Sequence, residues 1–133
     1  MKRVLDGHTI LIVEDQPLIA LDVAQALEDA GAKVRTTNTL KHAMILAEHD
    51  GLTGAILDHV LGDGDSSGLC SRLKQRGIPF MIYSGFARIG GACQDVLHVT
   101  KPATEEQLVT AMAGLLFLKL GASDPDLERD RQH

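Results

Sequence analysis

The sequence has little cysteine, no long apolar run and no excess of basic charge, and each shortage removes a class of protein. Only two cysteines, Cys70 and Cys93, occur in 133 residues. They form no CxxC pair and are too few for a disulfide scaffold, so they read as inert apolar filler. No apolar stretch approaches the ~20 residues a membrane helix needs, and residues 1–7 hold no signal-peptide core. Thirteen Lys and Arg face eighteen Asp and Glu, a formal charge of −5. A nucleic-acid binder carries the opposite balance. The six histidines show no HExxH or other paired ligand spacing, and there is no GxxxxGKS/T loop, which removes the common zinc and phosphate-cradle patterns. What remains is a small acidic chain, 44% hydrophobic. At this size about two-thirds of the unfolded surface can be buried. We expect one cytoplasmic domain with no membrane or nucleic-acid partner, acting alone or through another protein.

The hydrophobic pattern alternates between two periods. His8–Val13 is a β-branched run of buried-strand length. Pro17 then opens a helical stretch with Ile19, Val23, Leu27 and Ala30 at spacings of three and four, and Gly31 stands just past its end. Lys33–Thr37 reads as a second strand, and Thr39–Asp50 as a second helix with Asn38 or Thr39 as its cap. Gly54–Asp58 is a short apolar strand running into an aspartate. Gly62, Gly64 and Gly68 mark a flexible loop before a helix near Ser67–Arg76 that ends at Gly77. Ile78–Tyr83 and Val96–Thr100 are the fourth and fifth strands. A last helix spans Thr104–Leu120, where Thr104 with Glu106 and Gln107 approximates a capping box. Residues 121–133 hold four acids, two arginines and a proline with almost nothing to bury, which predicts a disordered acidic tail after a domain at 1–120.

Apolar strands alternating with helices predict an α/β fold: a doubly wound parallel sheet covered on both faces, with right-handed crossovers. Reactive groups in such sheets gather at the carboxyl ends of the strands. Those ends carry Glu14 and Asp15, Asp58, Ser84, and Lys101 before Pro102. Three carboxylates on one edge repel one another unless cations sit among them. One lysine leaves the set negative, so a divalent cation is implied, and hard oxygen ligands without clustered His or Cys favour Mg²⁺. A metal-bound carboxylate beside a lysine and a hydroxyl is suited to taking a phosphoryl group onto an aspartate.

The ordered set Glu14–Asp15, Asp58, Ser84 and Lys101–Pro102 resembles the response-regulator receiver domain of two-component signalling, over about residues 8–120. The resemblance implies a flavodoxin-like five-stranded sheet in order 2-1-3-4-5 flanked by five helices. It implies Asp58 as phosphoacceptor, Glu14 and Asp15 as a metal-binding pair, and the backbone carbonyl of Val60 as a further Mg²⁺ ligand. Ser84 then matches the switch hydroxyl and Lys101 the lysine that pairs with the phosphoryl group, followed by a cis bond to Pro102. A histidine kinase or phosphotransfer protein is the implied donor. The segment Ser84–Gly85–Phe86 is similar to the FAT GUY subgroup of stand-alone receivers, from whose motif Ile82, Tyr83 and Ala87 depart.

His98 stands where many receivers carry a Tyr or Phe that rotates on activation. Only seventeen positions separate Ser84 from Lys101, so the fourth helix is expected to be short or irregular, broken at Gly90–Gly91. In the last helix Leu108, Ala111, Leu115 and Leu118 form a stripe suited to the sheet. Val109, Met112, Ala113, Leu116, Phe117 and Leu120 form a second. One stripe suffices for a surface helix, so Met112, Leu116 and Phe117 are the expected interface for a protein target or a homodimer. The rival readings are an aspartyl-phosphate-forming phosphatase and a phosphorylation-independent adaptor. The first lacks a second acid two residues past Asp58, where Val60 stands, and the intact acidic–Lys set opposes the second.

Overall fold

A computed structural model of the chain describes residues 3–85 and 93–122. Its central element is a five-stranded parallel sheet built from β1 (Thr9–Val13), β2 (Lys33–Thr37), β3 (Gly54–Leu57), β6 (Phe80–Ser84) and β7 (Leu97–Thr100). Strand order is β2-β1-β3-β6-β7, so the principal strands run 2-1-3-4-5 as expected. The ladder sets Ile12 opposite Ile56 and Val13 opposite Leu57, and Ser84 opposite Thr100. That alignment brings the polar residues following β1, β3 and β7, and Ser84 closing β6, to one edge.

Alternation along the strands divides the core. Leu11, Val13, Ala55, Leu57, Phe80 and Ile82 face α2 (Leu40–Leu46) and α3 (Ser67–Gln75). Ile10, Ile12, Ile56, Met81 and Tyr83 face α1 (Pro17–Asp29) and α4 (Glu105–Ala122). The two layers are the doubly wound arrangement that near-continuous apolar strands require. Gly31 follows α1 with φ +108°, and a side chain there would strike the Asp6 carboxylate at 2.1 Å. A Cβ on Gly54 would meet Ile10 Cδ1 and Met112 Sδ, both at 3.1 Å, so glycine lets α4 approach the sheet.

Local chemistry sets the helix starts. Pro17 occupies the first turn of α1, and the Thr39 hydroxyl accepts from His42 N at 3.2 Å. The capping box forms with Gln107: its backbone N–H donates to Thr104 Oγ1 at 3.0 Å, and its Oε1 accepts from Thr104 N at 2.8 Å.

Several boundaries move. The second helix ends at Leu46 rather than Asp50, because turn hydrogen bonds take over: Glu48 N to Ile45 O, His49 N to Leu46 O and Leu52 N to His49 O. The fourth principal strand is displaced to Phe80–Ser84. The last helix runs to Ala122, so the tail expected from residue 121 begins inside it. The rest of that tail, 123–133, and the expected fourth helix around Gly90–Gly91 lie outside the described residues.

Three expectations are corrected. The glycine-rich segment after Asp58 is an antiparallel hairpin of β4 (Val60–Leu61) and β5 (Gly64–Asp65). From its turn Asp63 accepts from Leu40 N at 3.0 Å and Lys41 N at 3.2 Å, capping α2. Cys70 and Cys93 are not separate fillers but a disulfide with Cα atoms 5.5 Å apart. The bond joins α3 to the chain just before β7 and brings together two residues distant in sequence. Finally, Leu108, Met112 and Leu116, at a spacing of four, form the buried face of α4. Met112 and Leu116 are therefore core and not interface, whereas Phe117 is 72% exposed and Leu118 63%.

Candidate functional site

Four neighbouring strands each deliver a polar group to the same sheet edge. Asp58 N donates to Val13 O at 2.8 Å, which continues the parallel ladder past β3 and sets Asp58 beside Glu14. Lys101 N donates to Ser84 O at 2.9 Å and continues the β6–β7 ladder in the same way. Lys101 Nζ lies 2.5 Å from Glu14 Oε1 and 3.3 Å from Asp58 Oδ2. It also sits 5.6 Å from the centre of the Tyr83 ring, within cation–π range. Carboxylate oxygens of Glu14, Asp15 and Asp58 all lie within 4.8 Å of one another.

The acids differ in environment. Glu14 and Asp58 are buried, whereas Asp15 is exposed. Burial is the main cause that drives the Glu14 pKa up to about 7; a hydrogen bond and the charge of Asp58 add to it, and Lys101 opposes it. Burial works to lower the Lys101 pKa, but its hydrogen bond to Glu14 and the charges of Asp58 and Glu14 outweigh that and raise it. One lysine thus leaves the acids short of positive charge. Asp15 N donates to Glu14 Oε2 at 3.0 Å, which orients the buried carboxylate. Glu14 and Asp15 both line a cleft of about 590 Å³ between α1 and the β2–α2 turn.

Ser84 closes β6 and is buried. Val60 opens β4 in the hairpin. His98 is half-buried in β7, where its Nε2–H donates to the Cys93 carbonyl at 2.9 Å. Phe117 lies on the exposed side of α4. The structure thus brings together Glu14, Asp15, Asp58 and Lys101, and places His98 and Phe117 away from the lysine's contacts.

Two supporting residues escaped the sequence reading. Ser66 is fully buried, and its hydroxyl donates to the carbonyls of Asp58 at 2.5 Å and His59 at 3.1 Å. It holds the chain that leaves Asp58. The Tyr83 hydroxyl accepts from Ala103 N at 3.0 Å and so secures the turn after Lys101, whose bond to Pro102 is cis. A serine before a helix and a tyrosine inside a strand carry no motif, so neither gave a signal.

The response regulator receiver domain family matches residues 10–113, and the chain belongs to it. It is similar in structure to a CheY-like receiver domain protein from Methanospirillum hungatei: TM-score 0.79 and 23% identity, covering 87% of this chain and 98% of that one. A response regulator receiver protein from Sinorhizobium medicae gives 0.78 at 24% identity, covering 85% and 97%. In sequence the chain is 27% identical over 120 residues to the transcriptional regulatory protein TcrA of Mycobacterium tuberculosis, covering 84% of this chain and 47% of TcrA. The chain therefore spans about half the length of the curated relatives it matches. Receiver domains belong to two-component signalling, interact with histidine kinases or phosphotransfer proteins and bind Mg²⁺ at an acidic pocket. Among the described residues no helix is long and apolar enough to cross a membrane.

Proposed function

We propose that this receiver accepts a phosphoryl group on Asp58 from the phosphohistidine of a histidine kinase or phosphotransfer protein in the cytoplasm. The observation that carries the reading is the Lys101 ammonium, held between Glu14 and Asp58 at the shared edge. A carboxylate oxygen of Asp58 attacks phosphorus, and the P–N bond breaks with its electron pair left on the donor imidazole. Lys101 then turns its charge from the carboxylates to a phosphoryl oxygen, and the Ser84 hydroxyl donates to another. Water later cleaves the acyl phosphate, restoring Asp58 and releasing inorganic phosphate.

The acid set fits a divalent cation. Three clustered carboxylates with one lysine and a Glu14 pKa near 7 mark a surplus of negative charge, and every side-chain donor is a hard oxygen. Glu14, Asp15 and Asp58 would hold Mg²⁺, with the Val60 carbonyl as a further ligand. When bound, the ion neutralises phosphoryl oxygens and the approaching carboxylate. The signal then leaves by protein contacts, for which the exposed Phe117 and Leu118 of α4 provide apolar surface.

Incubation with acetyl phosphate and Mg²⁺, followed by mass spectrometry, tests the reading. Wild type gains one phosphoryl group, labile to hydroxylamine, and Asp58→Asn gains none. Identical behaviour of the two proteins defeats it. The phosphatase alternative predicts continuous release of phosphate from many small esters, and turnover of that kind would replace our reading.

A further inference from the structure

We propose that Cys70 and Cys93 are a reversible thiol–disulfide site, reacting with small dithiols and disulfides, which controls how freely the domain rearranges on phosphorylation; its functional consequence rests on the phosphoryl-acceptor reading above. The bonded pair joins α3 to the chain entering β7 across 23 positions of sequence. Both residues are fully buried in the cluster shared by α2, α3 and the sheet.

The site is placed for local control rather than for holding the fold. Leu57, Leu69, Leu73 and Ile82 of the same cluster are all buried, and two thiols among them remain small apolar groups. A sheet covered on both faces has its core without a crosslink. The ends of the disulfide are what matter. The chain leading into α3 is held at Ser66, whose hydroxyl bonds the Asp58 carbonyl. At the other end the Cys93 carbonyl accepts from His98, which pairs with Ile82, two residues before Ser84. One turn along α3, Lys74 Nζ lies 2.5 Å from Asp95 Oδ1 across the same seam. The crosslink therefore ties the chain leaving Asp58 to the chain entering the Lys101 strand. These two segments must adjust to each other when Asp58, Ser84 and Lys101 close on a phosphoryl group.

Oxidation transfers two electrons and two protons from the cysteine thiols to a disulfide such as oxidised glutathione, which departs as two thiols. Reduction reverses this: a thiolate of a dithiol attacks one sulfur, the other cysteine leaves, and the second thiol of the reductant resolves the mixed disulfide. In a reducing compartment such a disulfide is transient and reports oxidation. Because both cysteines are fully buried, exchange waits on local opening around the pair.

The test compares full-length protein oxidised with glutathione disulfide against protein reduced with dithiothreitol. Modification of Asp58 by acetyl phosphate and Mg²⁺ is timed by mass spectrometry, and amide hydrogen exchange is read over residues 93–100. Oxidation is expected to slow both by about fivefold, the lower end of typical coupling between sites. A Cys70→Ala, Cys93→Ala double variant should match the reduced form and ignore glutathione disulfide. Equal rates, two free thiols after oxidation, or a double variant that still responds would each overturn the proposal. If neither form is modified, the phosphoryl-acceptor reading fails instead, and hydrogen exchange alone still decides whether the crosslink clamps this segment.

Discussion

At the scale of single residues, the site is an electrostatic balance set by burial. Glu14 has a folded pKa of about 7 against an ordinary 4.5, so between those values the folded chain holds a proton that the unfolded chain has released. Its contribution to stability is complete below pH 4.5 and is lost as pH rises through 7. Urea midpoints in EDTA should fall between pH 5 and pH 8, and Glu14→Gln should flatten that part of the slope. Mg²⁺ should restore the wild-type midpoint at pH 8 and do little for Glu14→Gln. Lys101 is the complementary case: its ammonium is held by Glu14 and Asp58. Lys101→Ala should lower the rate of phosphoryl uptake by about 10²-fold, since removing one donor from a charge-stabilising site costs on that order. Stopped-flow uptake of acetyl phosphate measures it. A smaller effect than tenfold would remove Lys101 from the chemistry. The charged members of this set were legible because their residue types recur at strand ends. Ser66 and Tyr83 were not, because a hydroxyl bonded to a backbone carbonyl or amide leaves no pattern in sequence.

At the scale of elements, α4 shows how a pattern with two apolar stripes is resolved. Leu108, Met112 and Leu116 pack on the sheet, and Gly54 opens the space for Met112. Met112→Ala should destabilise the protein by about 2–5 kcal/mol in urea denaturation, the range for emptying a packed core position. Phe117→Ser should change stability by no more than about 0.5 kcal/mol, because the side chain is already in water. Comparable losses in the two variants would show that Phe117 is covered in solution. Sequence periodicity could not choose between the stripes, because both are apolar and their members interleave. The choice came from the approach of the sheet at Gly54. Helix α2 carries a related lesson: the sequence reading carries it to Asp50, but turn hydrogen bonds end the helix at Leu46.

At the scale of the whole molecule, the parallel register converts separated residues into one site. Glu14, Asp58, Ser84 and Lys101 come from four neighbouring strands, and their carriers are the same strands that bury the two cores. We expect a change at the edge to be felt along β6, whose alternate side chains reach both helix layers, and along β7, which pairs with it. Beryllofluoride with Mg²⁺ should shift the backbone amide resonances of Leu97–Thr100 and of the first turns of α4, not only those beside Asp58. Lys101→Ala should retain shifts near Asp58 and lose those in α4. Shifts confined to the neighbourhood of Asp58 in wild type would deny a signal carried through these elements.

The sequence by itself determined the strand–helix alternation, a parallel sheet with right-handed crossovers and the four charged or hydroxyl-bearing strand ends, because each follows from local periodicity and chain topology; the order of the sheet came only from its resemblance to receiver domains. Tertiary structure alone decided which face of α4 is buried, that the loop after Asp58 is a hairpin capping α2, and that Cys70 meets Cys93. Those outcomes depend on distances between segments remote in the chain, which no local spacing encodes. The two cysteines, too few to suggest a scaffold, become a link between the two sides of the site only once β6 and β7 lie next to each other.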